Sequence, residues 1–306
     1  MIFSRSASRR PTSRYFALLA AALLALAALP ACNDSDGDRD DGGDSTGGTE
    51  AAASPAADTP VVAPGAQVNV GVIGDLPGWS ELDTESNELK GFQADLMYWL
   101  EDQLRIRVTP VQVTFEQRLH YMKTHKADIM LANFAMTDER RKDVDIAGPY
   151  VFSEQGVMTA KDGPQIRTLK DLGGKSVCTM RGTTSLEQLR DNVAVKKTVV
   201  EHAGLSKCVS DLKQGAVDAV VTAQVDLLGY AQKDEDLRLP DVQFGAQDRF
   251  GIAVPKGDRE SCERLTQALK TFIAKGDWNQ YFREHFPDEP ITPHRPTPDE
   301  LTPCDD

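Results

Sequence analysis

The chain has 306 residues, of which 34 are basic and 47 are acidic, so its formal net charge is −13. A balance this acidic argues against nucleic acid as a partner, because a nucleic-acid interface needs a basic surface. It leaves an anionic small molecule open, since a few arginines can reverse the field inside a cleft. There is no CxxC motif, and the five histidines do not cluster with cysteine. We therefore expect no metal site and no cofactor.

The first 31 residues have the features of a secretory signal peptide. Four arginines and no acidic residue accompany an apolar run from Tyr15 to Leu29, which is followed by Pro30, Ala31 and Cys32. The run is shorter than the roughly 20 apolar residues of a membrane span. A cysteine directly after Leu-x-Ala resembles a bacterial lipobox, which implies that Cys32 is lipidated and anchors the chain to the outer face of the cell membrane. The alternative is an ordinary signal peptide with an incidental cysteine.

Residues 32–66 are predicted to form a disordered acidic tether. They consist mainly of Asp, Gly, Ser, Thr, Ala and Pro, with almost no large apolar side chain. Such a segment buries too little surface to offset the entropy that ordering would cost. We expect it to hold the folded part away from the membrane. The remaining 240 or so residues suffice for one large domain or for two lobes.

From residue 67 onward, short apolar runs alternate with amphipathic stretches. Strands are predicted at 68–73, 106–113, 128–132, 176–179, 198–201, 219–222 and 250–255, and helices at 92–104, 116–124, 183–192, 205–214, 225–233, 259–274 and 278–286. Gly148-Pro149 is predicted to break the chain before residues 150–159, and the proline-rich tail is predicted to be irregular. The alternation indicates a mostly parallel α/β sheet. Ligands of such sheets bind beyond the carboxyl ends of strands, which makes the loops after Ile73, Val113, Ala132, Thr179 and Thr222 the candidate site.

Two of these loops carry a residue that invites a functional interpretation. Trp79 lies in a Gly/Pro-rich loop, where it is equally consistent with a cover over a ligand and with an anchor in the core. Arg118 lies in the first turn of a predicted helix, where the helix dipole disfavours a cation. A bound anion would explain Arg118; the alternative is a solvated side chain.

The loop that contains Asn133 and Phe134 leads to Arg140, whose planar guanidinium is suited to grip a carboxylate with two parallel hydrogen bonds. Charge pattern alone favours a surface arginine paired with a nearby acid. Thr183 and Thr184 open a helix whose free N–H groups attract an anion, although many helices begin in this way with only a cap. The loops contain no catalytic triad, P-loop or HExxH motif, so we do not expect an enzyme.

Four cysteines remain if Cys32 is lipidated. An even number in an exported protein suggests two disulfides, for which three connectivities exist. We expect the pairs Cys178–Cys208 and Cys262–Cys304, because each falls within one predicted lobe or its tail. The alternative is free buried thiols.

Ten short motifs follow one another between residues 67 and 286: VGV (70–72), KGFQAD (90–95), KADIMLA (126–132), MTDER (136–140), GPY (148–150), DLGGK (171–175), RGTTS (181–185), GAVDAV (215–220), FGIAVPKG (250–257) and GDW (276–278). Each motif is weak alone. In this order they resemble the family 3 extracellular solute-binding proteins of polar amino-acid ABC transporters, and most of all the glutamate/glutamine-type lipoproteins of Gram-positive bacteria.

The resemblance implies a type II periplasmic-binding-protein fold, α/β in class, with two lobes and a hinge that the chain crosses twice. Lobe 1 would comprise residues 67–157 plus 251–290, lobe 2 residues 158–250, and the C-terminal tail residues 291–306. The crossings would lie near Thr159 and Phe250. The protein would be a monomer that captures a polar or acidic, glutamate-like amino acid, or a related carboxylate, and passes it to an ABC transporter permease.

The resemblance also assigns roles to single residues. Arg140 falls on the arginine that binds the ligand α-carboxylate, and Arg118 matches an arginine that glutamate and aspartate binders direct at the side-chain carboxylate. The further expected ligand contacts are Asp75 and Trp79 in the first-lobe loop, Asn133 and Phe134 before Arg140, and Thr183 and Thr184 at the start of the lobe 2 helix.

Two positions depart from the family pattern. Ala135 stands where the family usually has Ser or Thr, and Ala223 where it usually has an Asp that binds the α-ammonium group. A buried ammonium without partners costs several kcal/mol. Asp226, one helical turn further along, would be a substitute. Otherwise the ligand lacks an α-amino group, or the protein is a ligand-sensing or partner-binding lipoprotein.

Overall fold

The structure is a computed structural model that describes residues 59–193, 199–290 and 294–304. The predicted signal peptide, Cys32 and most of the predicted tether lie outside the described residues. In the described part of the chain, no helix combines the length and the apolar character that crossing a membrane requires.

The described residues form strands and helices in alternation. The strands are β1 (Gln67–Val72), β2 (Asp75–Leu76), β3 (Ser80–Leu82), β4 (Leu89–Lys90), β5 (Arg107–Gln112), β6 (Ile129–Ala135), β7 (Val144–Ala160), β8 (Val177–Met180), β9 (Val199–His202), β10 (Ala219–Ala223), β11 (Leu237–Arg238) and β12 (Phe244–Pro255). The α-helices are α1 (Phe92–Leu104), α2 (Arg118–Lys123), α3 (Asp138–Arg141), α4 (Ser185–Asn192), α5 (Leu205–Lys213), α6 (Gln224–Lys233), α7 (Arg259–Lys275) and α8 (Asp277–His285).

The main sheet has the strand order β5-β1-β6-β12-β7-β10-β8-β9, with β11 added beside β7, and β2, β3 and β4 form a small separate sheet. The pairs at each end are parallel: β5 with β1 and β1 with β6 on one side, β10 with β8 and β8 with β9 on the other. Between them, β12 and β7 pair antiparallel with each other and with their neighbours. We call the β5-β1-β6 side, with the small sheet and α1, α2, α3, α7 and α8, lobe 1, and the β10-β8-β9 side with α4, α5 and α6 lobe 2.

Within the described residues, only the paired strands β7 and β12 continue the main sheet from one lobe to the other. Their register runs from Val144 opposite Pro255 in lobe 1, through Ser153 opposite Asp248, to the pair nearest lobe 2, Gln155 opposite Phe244. The chain therefore passes between the lobes twice, on adjacent strands. Two strands of this kind allow the lobes to rotate as rigid bodies.

Periodic burial explains why the elements of lobe 1 form. In α1 the side chains of Phe92, Leu96, Leu100 and Leu104 recur at helical spacing and are all buried. The central strand β6 is buried at every position, as expected of a strand covered on both faces. Phe92 also belongs to an aromatic cluster formed by Trp79, Phe92, Phe272, Trp278, Phe282 and Phe286, which are all fully buried.

Two strands differ from the sequence-based expectation. Pro149, which follows a cis peptide bond, does not break the chain, because β7 runs through it. Proline removes only one backbone donor, and β12 continues to pair with β7 on both sides of it. The second strand, β12, begins at Phe244 rather than at Phe250, because its polar first half pairs with β7 through the backbone.

The predicted tether extends too far. Residues 59–66 pack against the folded part, where Val62 is fully buried and the Val61 N–H donates to Asp258 Oδ2 at 2.9 Å. Burial of Val62 and this hydrogen bond favour ordering of the adjacent backbone, which the average composition of the segment did not reveal.

Two disulfides form with the predicted connectivity. Cys178–Cys208 connects β8 to α5, and Cys262–Cys304 connects α7 to the C-terminal segment. That segment lies along β7, where Thr302 N–H donates to the Gly148 carbonyl at 2.9 Å.

Candidate functional site

The two lobes face each other across a narrow cavity, and the space between its walls, including the part open to solvent, is about 220 Å³. Lobe 1 contributes Phe115, Arg118, Asn133, Ala135 and Arg140 to its walls. Lobe 2 contributes Thr183, Thr184, Ser185, Thr222, Ala223 and Asp226, and β12 adds Asp248 and Phe250. The loops after Val113, Ala132, Thr179 and Thr222 thus meet here, as expected for the carboxyl ends of strands. The loop after Ile73 does not line this cavity.

Arg118 is only 2% exposed and is held almost entirely by backbone carbonyls. Nε donates to Phe115 O at 2.9 Å, and Nη1 donates to Ala132 O at 2.9 Å and Asn133 O at 2.6 Å. Nη2 donates to Gly182 O of lobe 2 at 2.8 Å. Since a guanidinium has five N–H donors, these four bonds leave one donor, on Nη2, for any further partner. These carbonyl acceptors explain why an arginine is stable in the first turn of α2, so no bound anion is needed to explain it.

Arg140 points into the same cavity from the end of α3. Its Nη1 donates to Ala135 O at 3.1 Å and its Nη2 to Gly182 O at 2.9 Å, so the Gly182 carbonyl accepts from both arginines. Two nearby acids that could have paired with Arg140 at the surface have other partners: Glu139 pairs with Lys142 and Asp143 with Lys123.

Phe134 lies beneath both guanidinium groups. The centre of its ring is 4.8 Å from Arg140 Cζ and 5.4 Å from Arg118 Cζ, and the side chain is fully buried. An aromatic face at this distance attracts a cation. Phe134 therefore supports the two arginines from behind rather than lining the cavity itself.

Burial lowers the pKa of both arginines. For Arg118 the nearby charge of Arg140 adds to this effect, whereas the carboxylates of Asp226 and Asp248 oppose it. For Arg140 the opposing charges are those of Asp248 and Glu187. An anion placed between the two guanidinium groups would relieve their mutual repulsion.

A buried polar chain connects the lobes at the back of the cavity. The Oδ1 atom of Asn133 accepts from Gln93 Nε2 at 2.6 Å and from the Tyr150 hydroxyl at 3.0 Å. Asn133 Nδ2 in turn donates to Asp226 Oδ1, while the Thr222 hydroxyl donates to Asp226 Oδ2 at 3.1 Å. Burial raises the pKa of Asp226 to about 7. The two hydrogen bonds to Asp226 and the charge of Arg118 lower the pKa but do not cancel the effect of burial.

Asp248 is the cavity residue that the sequence analysis missed. It lies on β12 opposite Ser153 and is 7% exposed. Its Oδ2 accepts from Gln155 Nε2 and from the Thr184 hydroxyl, both at 2.7 Å. Burial raises its pKa, against those two hydrogen bonds and the charge of Arg140. Asp248 lies in the polar first half of β12, before the strand predicted at 250–255, so no local sequence pattern marked it.

Helix α4 begins at the cavity wall. The Thr183 hydroxyl donates to Met180 O at 2.8 Å and the Thr184 hydroxyl donates to Asp248, so neither caps the helix. The first N–H groups of α4 lack a side-chain acceptor, and together with the helix dipole they favour negative charge nearby. Ala135 and Ala223, by contrast, contribute only methyl groups to the cavity.

Two predicted ligand contacts lie elsewhere. The Trp79 side chain is fully buried in the core of lobe 1, with ring centroids 5.1 Å from Phe92 and 5.2 Å from Phe286, so the anchor interpretation applies and the cover interpretation does not. A large indole gains more by burial among aromatic rings than by exposure in the cleft. Asp75 accepts from the Ser206 N–H at 3.1 Å and the Ser206 hydroxyl at 2.9 Å, and so joins the lobes outside the cavity.

Further contacts show that the lobes are closed. Arg181 of lobe 2 pairs with Glu116 of lobe 1 at 2.8 Å. The approach is tightest at two glycines. A Cβ atom on Gly182 would lie 2.8 Å from Glu116 Cα, and one on Gly229 would lie 1.7 Å from Pro77 O.

Comparison with known proteins agrees with this architecture. Residues 68–288 match the bacterial extracellular solute-binding proteins, family 3. The glutamate-binding protein GluB of Corynebacterium glutamicum is 27% identical over 308 aligned positions, which cover 96% of this chain and 98% of GluB. The ABC transporter glutamine-binding protein GlnH of Bacillus subtilis is 25% identical over 67% of this chain and 76% of its own.

The solved structure of an ancestral arginine-binding protein bound to glutamine superimposes with a TM-score of 0.67 at 28% identity, over 72% of this chain and 97% of the other. With the two-lobed architecture and the family match over residues 68–288, the chain belongs to the bacterial extracellular solute-binding proteins of family 3 and has their type II periplasmic-binding fold.

Proposed function

We propose that this protein captures a polar or acidic amino acid of the glutamate class between its lobes and delivers it to an ABC importer. The observation that carries the proposal is the convergence of Arg118 and Arg140 on one small cavity at the lobe boundary. The names of the relatives support it, since they bind glutamate, glutamine and arginine.

In this proposal Arg140 binds the ligand carboxylate and the N-terminus of α4, with Thr183 and Thr184, completes that subsite from lobe 2. Arg140 uses two of its N–H donors on carbonyls, and one of these carbonyls, that of Gly182, belongs to the opposite lobe. Arg118 has a single remaining donor, so its contribution is one hydrogen bond and a positive field toward the distal end of the ligand. Closure around the ligand then follows from rotation about β7 and β12.

We propose the same location and chain organisation that the sequence indicates. Residues 1–31 act as the signal peptide, Cys32 carries the lipid, and a tether that ends before residue 59 leads to a monomeric two-lobed body with residues 67–157 plus 251–290 in lobe 1 and 158–250 in lobe 2. The basic and apolar N-terminal segment and the position of Cys32 support the anchor.

We also propose that the ligand leaves chemically unchanged. Each titratable group in the cavity hydrogen-bonds to the protein itself, as Asp226 does to Asn133 and Asp248 to Gln155 and Thr184. Incubation of the protein with each bound ligand, followed by chromatography of the supernatant, should return only the starting compound. A product whose formation disappears on Asp226→Asn or Asp248→Asn substitution would replace binding by catalysis.

Titration calorimetry of the purified protein tests the binding proposal. The panel comprises L-glutamate, L-glutamine, L-aspartate, L-arginine and the dicarboxylates glutarate and succinate. At least one of them should bind with a dissociation constant well below millimolar. If none binds at millimolar concentration, transport of these ligands is excluded and the ligand-sensing or partner-binding alternative takes its place.

A further inference from the structure

The cavity is lined by two carboxyl groups, those of Asp226 and Asp248, as well as by the two guanidinium groups. The charges of Arg140 and Asp248 each shift the pKa of the other group toward its charged form. The charges of Arg118 and Asp226 have the same effect on each other. Both pairs line the same cavity. A cavity with one positive and one negative pole close together matches a ligand that carries both charges close together. The α-carboxylate and α-ammonium groups of an amino acid are such a pair, because they are bonded to the same carbon atom.

The two carboxylates are not equally available to a ligand. Both oxygens of Asp226 are engaged within the protein, Oδ1 by Asn133 and Oδ2 by Thr222. In Asp248 the hydrogen bonds from Gln155 and Thr184 both end on Oδ2. Among the described residues, no hydrogen bond ends on Asp248 Oδ1, although a carboxylate oxygen can accept two.

We propose that Asp248 binds the α-ammonium group of the ligand while Arg140 binds its carboxylate. Asp248 on β12 thereby supplies the charge that the methyl groups of Ala135 and Ala223 do not. The inference rests on the proposed function and deepens it: the ligand class becomes α-amino acids, and carboxylates without an amino group are rejected. A ligand without an ammonium group would take the charge of Arg140 for its own carboxylate and leave the Asp248 carboxylate buried without a cation, which is the physical basis of the rejection.

The surroundings of Asp248 fit this role. Two side chains orient the Asp248 carboxylate: Gln155 from β7 and Thr184 from the start of α4. Gln155 lies next to the point where β7 passes between the lobes. The head group of the ligand is then held at β12, by Asp248, and at lobe 1, by Arg140. Asp226 keeps its contact with Asn133, and its pair with Arg118 faces the distal end of the ligand.

The test compares Asp248→Asn with the wild type. The ligand is the L-amino acid from the panel that binds the wild type most tightly, measured beside its des-amino counterpart, which is glutarate for glutamate and glutaramic acid for glutamine. Asp248→Asn should weaken binding of the amino acid by at least about 30-fold, as truncation of one member of a buried charge pair does. The des-amino compound should bind the variant at least as well as it binds the wild type.

Asp145→Asn is the matched control. Asp145 is 8% exposed on the same strand pair, but its oxygens accept from Lys256 Nζ at 2.7 Å and Gly257 N–H at 2.8 Å, outside the cavity. This control should leave both affinities unchanged, and melting curves of all variants report whether they fold.

Three results would overturn the proposal. If Asp248→Asn weakens both ligands equally, Asp248 only supports the cavity wall. If the preference for the amino acid survives in Asp248→Asn but is lost in Asp226→Asn, the ammonium partner is Asp226. If the wild type binds carboxylates but no amino acid, the ammonium subsite does not exist. Absence of all binding, in contrast, would refute the proposed function itself.

Discussion

Asn133 in lobe 1 donates a hydrogen bond to Asp226 in lobe 2, and each side chain is only about 2% exposed. Asn133 holds a backbone φ of 45°, a left-handed conformation that asparagine tolerates better than most residues. Gln93 and Tyr150 fix its amide from behind. Separation of the lobes would break this bond and expose the Asp226 carboxyl to water, which would link lobe closure to the charge of Asp226.

Replacement of Asp226 should remove a pH dependence of stability. Burial raises the pKa of Asp226 to about 7, with the charge of Asp248 adding to the rise and Arg118 opposing it. The ordinary pKa of aspartate is about 4, so the stabilisation is fully present below pH about 4 and is lost as the pH rises through about 7. Asp226→Asn cannot ionise and escapes the loss. Its melting temperature relative to wild type should therefore rise by several degrees between pH about 5 and pH about 8.

Asp145→Asn is the control for this measurement, since Asp145 lies outside the lobe contact. The melting temperature of this control relative to wild type should not show the rise between pH about 5 and pH about 8. A difference between Asp226→Asn and wild type that stays constant over this range would show that Asp226 titrates normally in the closed protein.

Substitution of Arg140 should abolish binding while the fold survives. The guanidinium would donate two charge-assisted hydrogen bonds to the ligand carboxylate, each contributing about 1.5–3 kcal/mol, so Arg140→Ala should weaken binding at least about 100-fold. Calorimetry measures the loss and a melting curve reports the fold. Lys142→Ala, which removes an exposed neighbour paired with Glu139, is the control and should bind normally. Unchanged affinity in Arg140→Ala would refute the assignment of this cavity as the binding site.

Much of the fold could be predicted because burial in regular elements leaves a periodic trace. The helix predicted at 92–104 has those bounds in the structure, and the alternation of strands and helices correctly indicated the α/β class. The prediction was wrong where backbone pairing overrides side-chain character. The pairing of β7 with β12 explains both the polar half of β12 and the strand that runs through Pro149. Sequence alone does not reveal which strand pairs with which.

For the candidate site, too, some features could be predicted from the sequence and others could not. Arg118, Thr183 and Thr184 follow predicted strand ends, whereas the family resemblance singles out Arg140, because charge pattern alone favours a surface position for it. Side-chain direction does not follow from local spacing. Trp79 turns into the core, and Asp248 faces the cavity because the register of β12 against β7 places it there.

The position of Trp79 leads to a prediction about stability rather than binding. Because its ring is packed between Phe92 and Phe286, Trp79→Ala should lower the free energy of unfolding by about 3–5 kcal/mol in urea denaturation. Trp79→Phe retains most of the packing and should keep ligand affinity within about twofold, because the change in volume is confined to the core. A large loss of affinity in Trp79→Phe, with normal unfolding, would restore the interpretation of Trp79 as a cover over the ligand.

The contact between Gly229 and Pro77 offers a way to prevent closure without touching the cavity. A Cβ atom on Gly229 would lie 1.7 Å from the Pro77 carbonyl oxygen, and it cannot rotate away because it is bonded to the helix backbone. Within α6 itself alanine is favoured over glycine by about 1 kcal/mol, so the variant should fold. Gly229→Ala should therefore bind ligand at least about tenfold more weakly, as expected when the closed, binding-competent state is depopulated.

Small-angle X-ray scattering provides the second measurement for this variant. With saturating ligand, Gly229→Ala should keep a larger radius of gyration than the wild type, because the two lobes stop short of contact. Gln232→Ala, on the exposed side of the same helix, should match the wild type in both affinity and size. If Gly229→Ala instead binds and compacts like the wild type, the ligand-bound state does not include the contact between Gly229 and Pro77. The lobes would then close less tightly around the ligand than they do in this structure.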